Sequence, residues 1–213
     1  MDWNTLKPLD LSKINFIDFP ENHYYREIYD KKQVVFHHTV SGPGIRGDLN
    51  TWLSTSTRIA TCIIIDRDGT PNQMFSSKYW GFHTGKGRRI DQHSIGIEFD
   101  NWGGLIKSKD SYKATYGNKV DVPVTHYPNG FRGYEYYESY TDAQIQTAGE
   151  LLLLWKDIYG IPLDYKEDMW DISPRALSGE PGVWAHVSFR PASDKQDIHP
   201  QPEVIEMFKS IGK

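Results

Sequence analysis

The run Cys62-Ile63-Ile64-Ile65 constrains this chain more than any other segment. Apolar residues without polar alternation describe a strand covered on both faces. The run ends in Asp66-Arg67-Asp68-Gly69, a hairpin-type turn into a following strand. Elsewhere short β-branched runs alternate with helical patterns, the arrangement of an α/β domain. Strands are expected over 33–39, 59–66, 72–75, 94–99 and 183–187.

The clearest helix covers 141–159. Thr141 and Gln144 form a capping-box pattern, and Ile145, Ala148, Leu152, Trp155 and Tyr159 make one apolar stripe. Gly160 and Pro162 end it. A second helix near 201–211 buries Val204, Phe208 and Ile211, and a shorter one over 48–56 turns Trp52 and Leu53 inward. The 213 residues fit a single domain, with a core over about 33–211 and an N-terminal extension over 1–30. Segments 101–140, rich in Gly, Tyr and Trp without sustained period, and 163–182, polar with Pro174 and Pro181, read as loop insertions.

The single Cys62 excludes an internal disulfide framework and any CxxC-type zinc site. No apolar run approaches the ~20 residues of a membrane span. The first residues, MDWNTLKPLDLSKINF, lack the basic head and apolar stretch of a secretory signal, so a cytoplasmic protein with no membrane partner is expected. A net charge of −4 argues against nucleic acid as a partner. One basic stretch, residues 78–89, carries Lys78, Lys86, Arg88 and Arg89 without an acid. It reads either as a solvated loop or as a rim that attracts substrate carboxylates.

Functional residues are scattered along the chain. His37 or His38 ends the run QVVFHHTV, His186 ends VWAH, and Asp197 follows in SFRPASDKQDIHP. On a strand, adjacent histidines face opposite sides, so only one can point at a given ion. Two imidazoles and a carboxylate supply the three ligands of a catalytic zinc with its fourth position open. Glu98, in the strand SIGIEFD, is placed to handle a water's proton, and together these residues point to hydrolysis. His23, His93, His126 and His199 sit in polar stretches and carry no assigned role.

Six segments in order, VVFHHT, IIIDRDGT, WGFHTG, SIGIEF, YTDAQIQTAGELLLLW and AHVSFRP…DKQD, resemble the zinc-dependent N-acetylmuramoyl-L-alanine amidases. These are the type 2 amidases, whose fold is shared with amidase-type phage lysozymes and peptidoglycan-recognition proteins. The resemblance spans roughly residues 33–200. It implies a mixed β-sheet flanked by helices and one Zn2+ ion, held by His37, His186 and Asp197. Asp194 competes for the third position. It further implies Glu98 as general base and Lys195 as the group facing the oxyanion. Some relatives carry a catalytic tyrosine where Thr61 stands here, which leaves that role to Glu98.

His83 and Trp80 in WGFHTG, with Arg88 beyond, fall on the implied groove wall as substrate contacts, and for Trp80 a structural role is the alternative. The implied substrate is peptidoglycan or its muropeptides, cut between N-acetylmuramic acid and L-alanine by a monomer. The aromatic 101–140 segment either adds a wall to the groove or only covers the core. A phage endolysin released to the host wall at lysis is expected. A cytosolic muropeptide-recycling amidase, a non-catalytic recognition module and a stem-peptide endopeptidase are the alternatives.

Overall fold

The computed structural model describes residues 2–213. Its strands are β1 (Asn15–Phe16), β2 (Gln33–His38), β3 (Ile63–Ile65), β4 (Pro71–Gln73), β5 (Ser94–Phe99), β6 (Gly104–Ser108), β7 (Ser111–Ala114), β8 (Lys119–Val120), β9 (Val124–Phe131), β10 (Tyr134–Glu138) and β11 (Gly182–Ala185). Its helices are α1 (Arg46–Leu53), α2 (Arg88–Asp91), α3 (Asp142–Tyr159), α4 (Pro174–Ser178) and α5 (Pro202–Ile211).

Six strands form a central mixed sheet in the order β1-β4-β3-β5-β2-β11. Strands β3, β5, β2 and β11 run parallel, and β4 turns back against β3 through the expected hairpin. Gly69 closes that turn at φ 89°, against Ala143 at the start of α3. A Cβ there would come within 2.9 Å of Ala143. As the unbroken apolar run requires, Ile63, Ile64 and Ile65 are fully buried.

Helix α3 begins as its sequence dictates. Thr141 Oγ1 accepts from the Gln144 amide at 3.1 Å, and Gln144 Oε1 accepts from the Thr141 amide at 3.1 Å. The Gln144 amide group also donates to the carbonyls of Ile65 and Asp100, tying the helix start to the ends of β3 and β5. Gly160 terminates the helix in the left-handed conformation. Ile145, Ala148, Leu152 and Trp155 are buried along the expected stripe. Helix α5 adds Val204, Met207, Phe208 and Ile211, and the Phe208 ring packs against Phe36 of β2.

Four expectations are corrected. Segment 101–140 is no loop: β6 to β10 form an antiparallel sheet in the order β8-β7-β6-β10-β9. Its strands are short and mostly wet on both faces, with a core of only Leu105, Ala114 and Val120, so no one-sided alternation marks them in the sequence. The N-terminal residues are not a loose extension. Trp3, Leu9, Ile14, Phe19 and Tyr24 enter the main core, and β1 supplies the sheet edge. Within 163–182, Met169 and Ala176 are buried in a short 3-10 turn and α4. Helix α1 buries Trp52 and Asp48, whereas Leu53 stays exposed.

Candidate metal and active site

Parallel register assembles the site. His37 pairs directly with Glu98 across β2 and β5, so both side chains leave the same face. Ala185 of β11 pairs with Phe36, so His186, one residue beyond, arrives beside His37. These are the carboxyl ends of parallel strands, where open α/β sheets place their ligands. Asp197 comes from the loop before α5, held by a hydrogen bond from the Val187 amide to its carbonyl at 2.8 Å.

His37, His186 and Asp197 converge and are buried. The two Nδ1 atoms stand 2.9 Å apart. Asp197 Oδ2 lies 2.8 Å from His186 Nδ1 and 3.3 Å from His37 Nδ1. His38 faces the opposite side of the sheet, with its Nδ1 2.9 Å from the Tyr140 hydroxyl. Asp194 is exposed, ion-paired with Arg190 and not part of the converging group.

Electrostatics separate the two buried acids. Burial opposes ionisation of Asp197, but His186, His37 and His38 outweigh it and hold the carboxyl well below its ordinary range. Burial, reinforced by Asp197 and Asp48, raises Glu98 well above the usual value, with Lys195 opposing. Glu98 Oε2 has no hydrogen-bond partner among the described residues. Burial also drives His37 and His83 down to about 3 each, which keeps their rings neutral.

A cleft of about 660 Å³ opens over this group. Glu98, Lys195, Thr61 and His83 line it, as do Asp48 and Trp52 from α1. Trp102, Thr115 and Tyr116 bring the second sheet to its wall. His83 lines the cleft with both ring nitrogens already engaged. Its Nδ1 sits 3.0 Å from His37 Nε2, and its Nε2 sits 2.8 Å from Ser94 Oγ.

Trp80 and Arg88 are not among the lining residues. Trp80 is 1% exposed and stacks on Tyr25 at 4.1 Å. Arg88 lies over Tyr25 and Trp80 and pairs with Glu27. Arg89 donates to the Leu177 carbonyl. None of the basic residues of 78–89 lines the cleft, and Lys78, Arg88 and Arg89 are engaged by aromatic surfaces or local acceptors. The cleft itself is lined by acids, Asp48, Glu98, Asp194 and Asp197, with Lys195 the single lysine or arginine among the lining residues. His199 is not on a solvated stretch; it is buried, stacked on Tyr137 and Tyr140, with its ring nitrogens at the Tyr127 hydroxyl and the Glu138 carbonyl.

The sequence profile of N-acetylmuramoyl-L-alanine amidases matches residues 29–202, which contain β2 to β11 and α1 to α4. The chain belongs to the N-acetylmuramoyl-L-alanine amidase family. Membership supports a peptidoglycan amidase activity. A comparison with curated protein sequences gives no match.

Solved structures share the amidase fold at low identity. The endolysin amidase LysCS from Clostridium intestinale is 14% identical, with 92% of this chain and 95% of that chain covered at a TM-score of 0.51. An AmpD derivative is 17% identical, with 98% and 99% covered at 0.53. The Staphylococcus aureus hydrolase AmiA, solved with its ligand, is 13% identical, with 99% and 87% covered at 0.56.

The donor set fits a metal of the kind such amidases use. Two neutral imidazole nitrogens 2.9 Å apart can share at most one proton, and a carboxylate oxygen adds further lone pairs to the same point. Tetrahedral zinc with Zn–N near 2.0–2.1 Å sets ligand separations of ~3.3 Å, close to those seen. Nitrogen and carboxylate ligands suit zinc and also other divalent ions.

Proposed function

We propose that this protein is a zinc-dependent N-acetylmuramoyl-L-alanine amidase that acts on peptidoglycan as a phage lysis enzyme. The observation that carries the reading is the convergence of His37, His186 and Asp197 beside Glu98 in one cleft. His37, His186 and Asp197 would hold the ion, which when bound lowers the pKa of water and polarises an amide carbonyl.

The remaining work falls to the chain. Glu98, in register with His37 and with one oxygen lacking a protein partner, takes the proton of the attacking water and returns it to the departing alanine nitrogen. Its raised affinity for protons favours the half of the transfer in which it holds the proton. Lys195, half-exposed at the cleft, offsets negative charge growing on the carbonyl oxygen. One such donor is worth ~3–4 kcal/mol of barrier. The presence of all three candidate ligands and Glu98 favours an enzyme over a recognition module.

Digestion of purified sacculi tests the chemistry. New L-alanine amino termini should appear without new reducing ends, stop on chelation and resume with Zn2+. Absence of those termini would overturn the amidase reading, and chelator-resistant release would overturn the metal. Faster action on soluble muropeptides than on intact sacculi would replace the lysis role with recycling.

A further inference from the structure

One buried chain of polar groups runs from His37 away from the other two candidate ligands. His37 Nε2 meets His83 Nδ1 at 3.0 Å, and His83 Nε2 meets Ser94 Oγ at 2.8 Å. The Ser94 hydroxyl donates to the Asp91 carbonyl at 3.2 Å. The Asp91 carboxylate, itself fully buried, stands 3.7 Å from His83 Nε2. It also accepts from the His83 and Thr84 amides and the Thr84 hydroxyl, which anchors the loop that carries the ring.

The direction of this chain is set by charge. A carboxylate near His83 Nε2 favours a proton on that nitrogen, and the Ser94 hydrogen is committed to a carbonyl. His83 Nδ1 is then an acceptor, and His37 must present Nε2–H to it. At the other end, His186 Nδ1 is nearer to Asp197 than His37 Nδ1 is, 2.8 against 3.3 Å. His186 therefore supplies the hydrogen that the carboxylate accepts, and His37 Nδ1 keeps its lone pair.

We propose that His83 is a positioning residue that locks His37 in the Nε2–H tautomer, with Nδ1 bare and aimed at His186 and Asp197. The site accepts a divalent cation at His37 without first expelling a proton. The room for this ring is reserved in the sheet. Gly96 of β5 lies beneath it, and a Cβ there would come 2.8 Å from Thr61 Cγ2, 3.0 Å from His83 Cγ and 3.1 Å from His83 Nδ1. The inference rests on the proposed metal dependence.

Zn2+ titration of the full chain by calorimetry, with long-range 15N NMR of its histidines after chelation, tests it. The NMR should show His37 protonated at Nε2 and bare at Nδ1. His83→Ala should weaken Zn2+ binding by about 10–100-fold, the usual effect of losing a partner behind a ligand. His83→Asn, whose amide oxygen stands near the place of Nδ1, should recover part of the loss. Gly96→Ala, which removes no polar group, should weaken binding in the same direction. Unchanged affinity in both His83→Ala and Gly96→Ala, or an Nδ1–H on His37, would overturn the lock. Wild-type protein that takes up no Zn2+ would instead refute the metal reading, and the NMR would still decide the tautomer. If His83→Ala does not fold, Gly96→Ala and the wild-type NMR carry the decision.

Discussion

Every residue of β2 in the central sheet is buried, whereas no residue of β9 in the second sheet is. The first sheet has apolar layers on both sides, and the second has a core of three residues. All the groups proposed for chemistry sit on or beside the first. The second gives only wall residues, Trp102, Thr115 and Tyr116. Ligand atoms must hold their separations to tenths of an ångström, which a close-packed layer provides and a thin, wet sheet does not. A wall that touches a large polymer can be looser.

That contrast can be broken in order of effect. Glu98→Gln, on the central sheet, should cut turnover by about 10²–10⁴-fold while Zn2+ uptake is unchanged. Loss of metal in that variant would contradict its role in proton transfer. The joint between the sheets is next. Arg67 of the hairpin turn holds Glu138 in a two-pronged pair at 2.8 and 2.9 Å and contacts Asp100 at 2.6 Å. Both carboxylates are buried, so Arg67→Met should cost ~3–5 kcal/mol in urea unfolding. A cost below ~1 kcal/mol would show that the two sheets are not coupled through this clamp.

A subtler effect concerns Asp48 on the cleft wall. Burial pushes its carboxyl up to about 7 from 3.8, with the Ser41 hydroxyl opposing and Asp100 adding. A raised acid means that the folded state binds more protons than the unfolded one between those values. Stability from this group is therefore present at low pH and lost as pH climbs towards 7. In chelator-treated protein, Asp48→Asn should raise Tm at pH 8 and leave it nearly unchanged at pH 4; equal shifts at both would remove the titration as the cause.

The smallest change is expected at Tyr116, which is 76% exposed on the second sheet. Tyr116→Ala should alter stability by no more than ~0.5 kcal/mol. KM for sacculi should rise with kcat constant. An unaltered KM would reduce the second sheet to a cover.

Where the sequence carried strong local signals, it was legible. The Thr141–Gln144 box, the Gly160 stop and the isoleucine run mark α3 and β3 because each is decided within a few residues. His37, Glu98, His186 and Asp197 were legible as a set, and the structure gathers them. The second sheet was not, since pairing between short, exposed strands leaves no periodic trace. Trp80 and Arg88 were misplaced because a Trp–Arg stack against Tyr25 depends on the N-terminal segment, far away in the chain. Nothing around WGFHTG tells whether His83 faces a ligand or backs one; that follows from contacts with Ser94 and Asp91. The glycine in SIGIEF, placed two residues before the glutamate, was the available clue to a ring lying on that strand.

The twin histidines at the end of β2 leave this enzyme unusually intolerant of changes in phase. One ring looks towards the cleft and its neighbour towards Tyr140 in the packed interior. Adding or deleting a single residue upstream within the strand would exchange their outlooks while keeping both histidines in the protein. Such a variant would keep both histidines and nearly the same composition, yet turn the wrong imidazole towards the cleft.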